Sequence, residues 1–240
     1  MTDDGYNIHF SAEKYGLLEQ YAEQHSSAGP ALLDELVRAT WQRSVHPRML
    51  SGEFQGRILA MVSRLVRPRR ILEIGTFTGY SALCLAEGLA RNGELITIDR
   101  NEELEDFANS FFDRSPFAGR IKMRIGDARK VIPTLGGRFD LVFIDGDKSD
   151  YLEYLDAAAP RMNPGGVLIS DNVLWNGKVV EPDVPGDTDT AVIKEYNRRL
   201  ACDPRFETVL LPGRDGLTLS RRTDYAADTE DKRQAGGLEK

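Results

Sequence analysis

RRILEIGTFTGYS (residues 69–81) is a short apolar run that stops on a glycine and passes into a helical pattern. A run this short, apolar on both alternating faces, reads as a strand buried on both sides. Such strands belong to parallel sheets covered by helices. Gly75 and Gly79 free the backbone for a tight turn and for close approach to a bound group.

Downstream the rhythm repeats. ELITID (94–99), RIKMRIG (120–126), FDLVFID (139–145) and PGGVLISD (164–171) are further apolar runs. Helical patterns over 79–90, 101–114, 128–135, 148–159 and 188–202 separate or follow them. Two last strands, 206–211 and 216–221, are joined by Pro212-Gly213-Arg214-Asp215. That joint is too short for a crossover, so one of the pair must run antiparallel. The pattern predicts an α/β fold with a doubly wound, mostly parallel, seven-stranded sheet.

Upstream, residues 1–66 read as a helical extension. Ser11 caps a first helix that runs to about His25, and Gly29-Pro30 opens a second. Leu33, Leu36, Val37, Thr40 and Trp41 form the apolar stripe of the second helix. A third, from Glu53 to Val66, is expected to bury Phe54, Ile58, Met61, Val62 and Leu65 and to end at Pro68. The sheet domain then spans 67–222, and 223–240 is a polar tail expected to be disordered.

Composition narrows the chemistry. The 240 residues carry 31 basic and 38 acidic side chains, a net charge of −7, which argues against retention on nucleic acid by bulk charge. No apolar run approaches a membrane span, and the N-terminus lacks the pattern of a signal peptide. Cys84 and Cys202 lie far apart and read as reduced thiols of a cytoplasmic protein. The three histidines, His9, His25 and His46, all precede the first strand. A Ser-His-Asp or Cys-His hydrolase therefore has no histidine to draw on from the sheet domain. Any metal must take oxygen ligands, which favours a hard cation.

In sheets of this kind the ligand sits beyond the carboxyl ends of the strands. The glycine turn is Gly-x-x-x-Gly and lacks the middle glycine that lets a dinucleotide pyrophosphate approach. Glu73, two residues before Gly75, suits a cationic ligand better than a phosphate. Asp99 ends the second strand 24 residues after Gly75, where a carboxylate can accept ribose hydroxyls. Gly126-Asp127-Ala128 ends the third strand, where an adenine could lie. The fourth strand feeds into Asp145-Gly146-Asp147-Lys148 and the fifth into Asp171-Asn172. Asp145, Asp171 and the Asn172 amide make an oxygen-only trio suited to Mg²⁺, Mn²⁺ or Ca²⁺. The plainer alternative makes Asp145 and Asp147 caps of the next helix, and Lys148 a surface lysine at its start.

EIGTFTGYS, ITIDRNEE, GDA, FIDGDKSDY and ISDNVLWNG together resemble the cation-dependent class I S-adenosylmethionine O-methyltransferases. That family includes catechol and caffeoyl-CoA O-methyltransferases and many bacterial relatives. HPRMLSGEFQGRIL (46–59) is similar to the bacterial branch, and the resemblance covers about 44–222. It implies a Rossmann-like methyltransferase fold, with S-adenosylmethionine and a divalent cation as cofactors. Asp145, Asp171 and Asn172 would hold the metal, and Lys148 would be the general base, with Asp145 beside it. Glu73, Gly75, Thr76, Ser81, Asp99, Ala128 and Asp147 would line the cofactor pocket. Met49, Leu50 and Ser51 would close over its methionine end, and Trp175 and Asn176 would face the acceptor. Catechol O-methyltransferase carries His-Trp where this chain has Gly146-Asp147, so its adenine wall is not reproduced.

The resemblance implies methyl transfer to a hydroxyl of a catechol-like or other hydroxylated aromatic small molecule, by a homodimer with no membrane attachment. Three rivals remain. A tRNA hydroxyuridine methyltransferase would use a basic face made by Arg43, Arg48, Arg57, Arg64, Arg67, Arg69 and Arg70. A nucleotide-binding dehydrogenase is opposed by the missing glycine, and a non-catalytic binding protein by the intact acidic trio.

Overall fold

The structure, a computed structural model, describes residues 12–223. Strands β1 (Arg70–Ile74), β2 (Glu94–Asp99), β3 (Ile121–Ile125), β4 (Phe139–Ile144), β5 (Met162–Asp171), β6 (Phe206–Leu211) and β7 (Leu217–Arg222) form one seven-stranded sheet. Their order is β3-β2-β1-β4-β5-β7-β6. The first five run parallel to one another, and β7 pairs antiparallel with both β5 and β6. The antiparallel member of the last pair is thus β7. The switch point lies between β1 and β4, whose connections leave toward opposite edges.

Period-two alternation sends neighbouring side chains to opposite faces. Ile71, Leu95 and Leu141 join one core with α2 (Ala31–Arg43), α3 (Glu53–Val66), α4 (Tyr80–Ala86) and α5 (Glu105–Phe112). Leu72, Ile96 and Val142 join the other, with α6 (Ala128–Val131), α7 (Tyr151–Ala158) and α8 (Thr188–Cys202). Fully buried Tyr151 and Tyr196 are its largest side chains. Cys84 is buried in the first core and Cys202 is exposed. No helix among the described residues is long and apolar enough to cross a membrane.

Two departures from the sequence reading concern the helices. α3 buries Gln55, Gly56, Leu59, Ala60 and Ser63, while Met61 and Leu65 are 58% and 77% exposed. The reason is close packing. A Cβ on Gly56 would meet the Tyr80 ring at 2.7 Å, and one on Gly88 would lie 2.1 Å from the Ser63 backbone. Only a face of small residues allows α3 to approach α4 so closely, so its bulkier side chains point away. α2 buries Leu33, Leu36 and Thr40, but Trp41 at the end of its stripe is 57% exposed. α1 (Ala12–Gln24) precedes them. Ser11, His9 and all of the tail beyond Thr223 lie outside the described residues. Thr223 itself is buried, and its N–H donates to the Arg205 carbonyl at 2.8 Å.

Candidate active site

At the carboxyl end of β1 the backbone turns at Gly75 with φ +99°, and a Cβ there would lie 2.1 Å from the Asp145 carbonyl oxygen. Only glycine lets the ends of β1 and β4 come this close. The turn is held from β2. Asp99 Oδ2 accepts the N–H groups of Thr76 at 3.1 Å and Phe77 at 2.7 Å, and Oδ1 accepts that of Asn101 at 2.9 Å. Asp99 therefore shapes the turn as well as facing the cleft. A carboxylate has about four acceptor positions, so it retains capacity for a ligand.

Glu73 is fully buried, and neither carboxylate oxygen has a hydrogen-bond partner among the described residues. Burial pushes its carboxyl up to about 8, against the pull of the neighbouring Ser81 and Thr97 hydroxyls and with the push of Asp145 and Asp99. An orphaned acid of this kind, beneath a turn already ringed by carboxylates, fits a ligand that brings positive charge.

A cleft of about 1040 Å³ opens over these strand ends. Met49, Leu50, Ser51, Gly75, Thr76, Ser81, Asp99, Ala128, Asp145, Asp147, Lys148, Asp171, Asn172 and Trp175 line it. Two residues named from the sequence do not. Glu73 lies under the floor, and Asn176 is exposed, its N–H bound to Asp215 Oδ1.

Asp145 and Asp171 end adjacent strands. Lys148 Nζ donates to Asp145 Oδ1 at 3.1 Å and to the Tyr151 hydroxyl at 2.8 Å. That hydroxyl in turn donates to the Asp171 carbonyl at 2.8 Å. Gln55 Nε2 donates to Asp171 Oδ2 at 2.5 Å, and the Asn172 N–H to Oδ1 at 2.7 Å. Burial raises the Asp145 carboxyl to about 7, against the pull of Lys148 and with the push of Asp171. Burial also raises Asp171, while Gln55 and Lys148 draw it down. Two acids forced up together mark a site short of positive charge, and a hard cation is the chemistry that relieves it. Among the described residues no three or more His, Cys, Asp or Glu side chains gather to hold a metal. Asp145, Asp171 and Asn172 all line the cleft, and as two carboxylates and an amide they offer the oxygen donors a hard cation takes. Asn172, at φ +53°, occupies a backbone conformation that asparagine tolerates.

Several residues at this site escaped the sequence reading. Gln55 is one of two polar residues on the buried face of α3, at a position whose burial shows only once that face is known. Tyr151 backs Lys148 from the core. Arg100 ties strand ends together through Asp147 at 2.6 Å, Asp150 at 2.5 Å and Asp127 at 3.4 Å. Asp127 also caps α6 through the Arg129 N–H at 3.0 Å. Arg214 reaches the rim of the cleft from the β6–β7 turn. The seven arginines considered as a basic face are partly spent elsewhere. Arg57 and Arg64 share Glu87 at 2.6 and 2.8 Å, and Arg70 pairs with Glu94 at 2.9 Å.

A seven-stranded sheet in this order, with a glycine turn and strand-end carboxylates around one cleft, defines a Rossmann-like methyltransferase. The chain belongs to the O-methyltransferase family, whose model matches residues 23–223. It is 34% identical over 206 residues to caffeoyl-CoA O-methyltransferase of Pinus taeda, across 80% of this chain and 78% of that protein. The SAH-bound Podospora anserina methyltransferase PaMTH1 superposes with a TM-score of 0.83 at 29% identity, covering 92% of this chain and all of that one (100%). The O-methyltransferase TomG from Streptomyces achromogenes, involved in tomaymycin synthesis and solved with SAM, gives 0.80 at 30% identity, over 90% of this chain and 100% of that one.

Proposed function

We propose that the protein transfers a methyl group from S-adenosylmethionine to a hydroxyl of a catechol-like or other hydroxylated aromatic small molecule, with a divalent cation bound by Asp145, Asp171 and Asn172. The observation that carries the reading is the pair of buried, charge-starved carboxylates at adjacent strand ends, with Lys148 3.1 Å from one of them. The SAH and SAM held by the two similar structures support the cofactor assignment.

In this reading Asp99 accepts the ribose hydroxyls while it keeps the glycine turn in shape. The unpartnered acid of Glu73 and the carboxylates above it favour a sulfonium-bearing, ammonium-bearing ligand over a phosphate. Met49, Leu50 and Ser51 cover the cleft and exclude water. A divalent cation at the trio would lower the pKa of an acceptor hydroxyl and fix its angle of approach. Lys148, steered by Tyr151 and Asp145, would take the hydroxyl proton once its amine is uncharged, as the oxygen attacks the methyl carbon in line and the S–CH3 bond breaks to release S-adenosylhomocysteine. Trp175, on the cleft lining, would face the acceptor. Most of the rate then comes from alignment and from activating the nucleophile.

The same reading takes the protein as a cytoplasmic homodimer, and exposed Leu17, Tyr21, Met61 and Leu65 on α1 and α3 supply apolar surface for a partner. Methyl transfer to a panel of catechols, flavonoids and bulk tRNA, with and without EDTA, tests it. Turnover of a catechol that stops in EDTA and returns with Mg²⁺ or Mn²⁺ is the expected result. Full activity in EDTA would leave the acidic trio as caps and turn residues, and transfer to tRNA alone would move the substrate class.

A further inference from the structure

The β6–β7 turn is held in place from two sides. The Leu174 N–H donates to the Asp215 carbonyl at 2.8 Å and the Asn176 N–H to the Asp215 carboxylate. From the other side, Glu19 Oε1 on α1 accepts the Arg214 N–H at 3.2 Å. The turn is thereby locked to the loop that carries Asn172 and Trp175. Arg214 sits on it at φ +53°, a backbone conformation that glycine adopts more readily. Its guanidinium lies over the Gly52 backbone, close enough that a Cβ on Gly52 would be 2.7 Å from a guanidinium nitrogen.

Asp215, the nearest acid in sequence, is committed to Asn176, and among the described residues the Arg214 side chain makes no ion pair. The guanidinium thus stands at the cleft wall, with Asn172 and Trp175 on the same cleft, and its fork makes no hydrogen bond among the described residues. Its field reaches Asp145 and Asp171, where burial raises both acids and Arg214 opposes the rise. It lies within electrostatic range of the proposed metal trio yet bonds to neither carboxylate. A planar fork held in this way matches a carboxylate, which it can engage through two parallel hydrogen bonds.

We infer that Arg214 is a specificity-determining residue that binds a carboxylate on the acceptor, so that the preferred acceptors are hydroxylated aromatic acids rather than neutral catechols. The inference rests on the methyl-transfer reading above for the orientation of the acceptor. Charged hydrogen bonds of this kind correspond to about ten- to hundredfold in affinity.

The test compares 3,4-dihydroxybenzoate with its methyl ester, which keeps the ring and both hydroxyls and loses the charge. Calorimetry on the full chain with SAH and Mg²⁺ present measures binding without turnover. The wild type should favour the acid at least tenfold, Arg214→Met should bring the acid-to-ester ratio to about one, and Arg214→Lys should fall between. SAH affinity close to wild type shows that each variant has folded. An acid-to-ester ratio near one in the wild type overturns the inference without need of any variant. So does a loss in Arg214→Met that falls equally on both compounds, which would make Arg214 a partner of the acidic trio instead. Binding of neither compound overturns it as well. Methyl transfer from S-adenosylmethionine to the two compounds is followed separately: acid-selective binding with no transfer leaves the anion site standing and removes the methyl-transfer reading.

Discussion

Asp99 illustrates how one side chain serves structure and ligand together. Three backbone N–H groups already point at it, so a substitution to alanine would loosen the glycine turn as well as remove the ribose acceptor proposed above. Asp99→Asn keeps an acceptor for the turn and removes the charge. It should weaken S-adenosylmethionine binding by about 1.5–3 kcal/mol, measured by calorimetry, with little change in melting temperature. Unchanged affinity would confine Asp99 to holding the turn. Lys148 is held by Asp145, the Gly146 carbonyl and Tyr151, all contacts that orient its amine. Lys148→Met should slow turnover about 10²–10⁴-fold, as expected for a lost general base. Raising the pH should recover part of the rate, because hydroxide then removes the proton. A pH–rate profile for the variant parallel to that of the wild type would place Lys148 outside the proton transfer.

Among the elements, the glycines divide into those that build the cleft and those that pack helices. Gly88→Ala puts a methyl 2.1 Å from the Ser63 backbone at the α3–α4 contact. It should destabilise the fold by about 1–3 kcal/mol in denaturant unfolding and leave cofactor affinity of the folded fraction intact. Gly75→Ala meets the Asp145 carbonyl at the same 2.1 Å from a backbone at φ +99°, and should lose cofactor binding along with stability. If the two variants bind S-adenosylmethionine alike, the distinction fails. The sheet was legible in the sequence because apolar runs ending in glycine or aspartate mark both a strand and its carboxyl end. The strand-end positions of Asp145 and Asp171 and the glycine turn were legible for the same reason. The face of α3 was not, because periodicity counts bulky apolar residues and close helix contact selects small ones. Gln55 was hidden with it, since its partner Asp171 meets it only through tertiary packing, and Tyr151 was hidden because its hydroxyl reaches the Asp171 carbonyl from another element. Arg214 was hidden because only the bonds of Asp215 to the loop at 172–177 bring its turn to the rim of the cleft.

For the whole molecule, the crowded acids make stability depend on pH in a direction opposite to that of ordinary paired carboxylates. Folded Asp145 keeps its proton up to about 7, against an ordinary value of 3.8. The folded state therefore binds more protons than the unfolded chain between these values. Stability from this group is complete below the ordinary value and is lost as the pH rises through about 7. Asp171 acts with the same sign. A cation that binds only the folded chain restores what ionisation removes. Mg²⁺ or Mn²⁺ should thus raise the melting temperature at pH 8 much more than at pH 5, and Asp171→Asn should abolish that increment. Asp145→Asn should flatten the fall between pH 5 and 8 in metal-free protein. Equal metal-induced shifts at both pH values would detach the cation from these acids.

Among the described residues β7 is the last strand in chain order, yet it lies inside the sheet, between β5 and β6. Until residue 222 has left the ribosome, one edge of β5 is bare and β6 has no strand to pair with. The turn that carries Arg214 belongs to that same hairpin, so the part of the cleft lined by Arg214 and Asp215 is assembled after the part built on β1 and β2. A nascent chain halted within the hairpin would present an open edge to its neighbours on a polysome, where strand-to-strand association competes with completion of the fold.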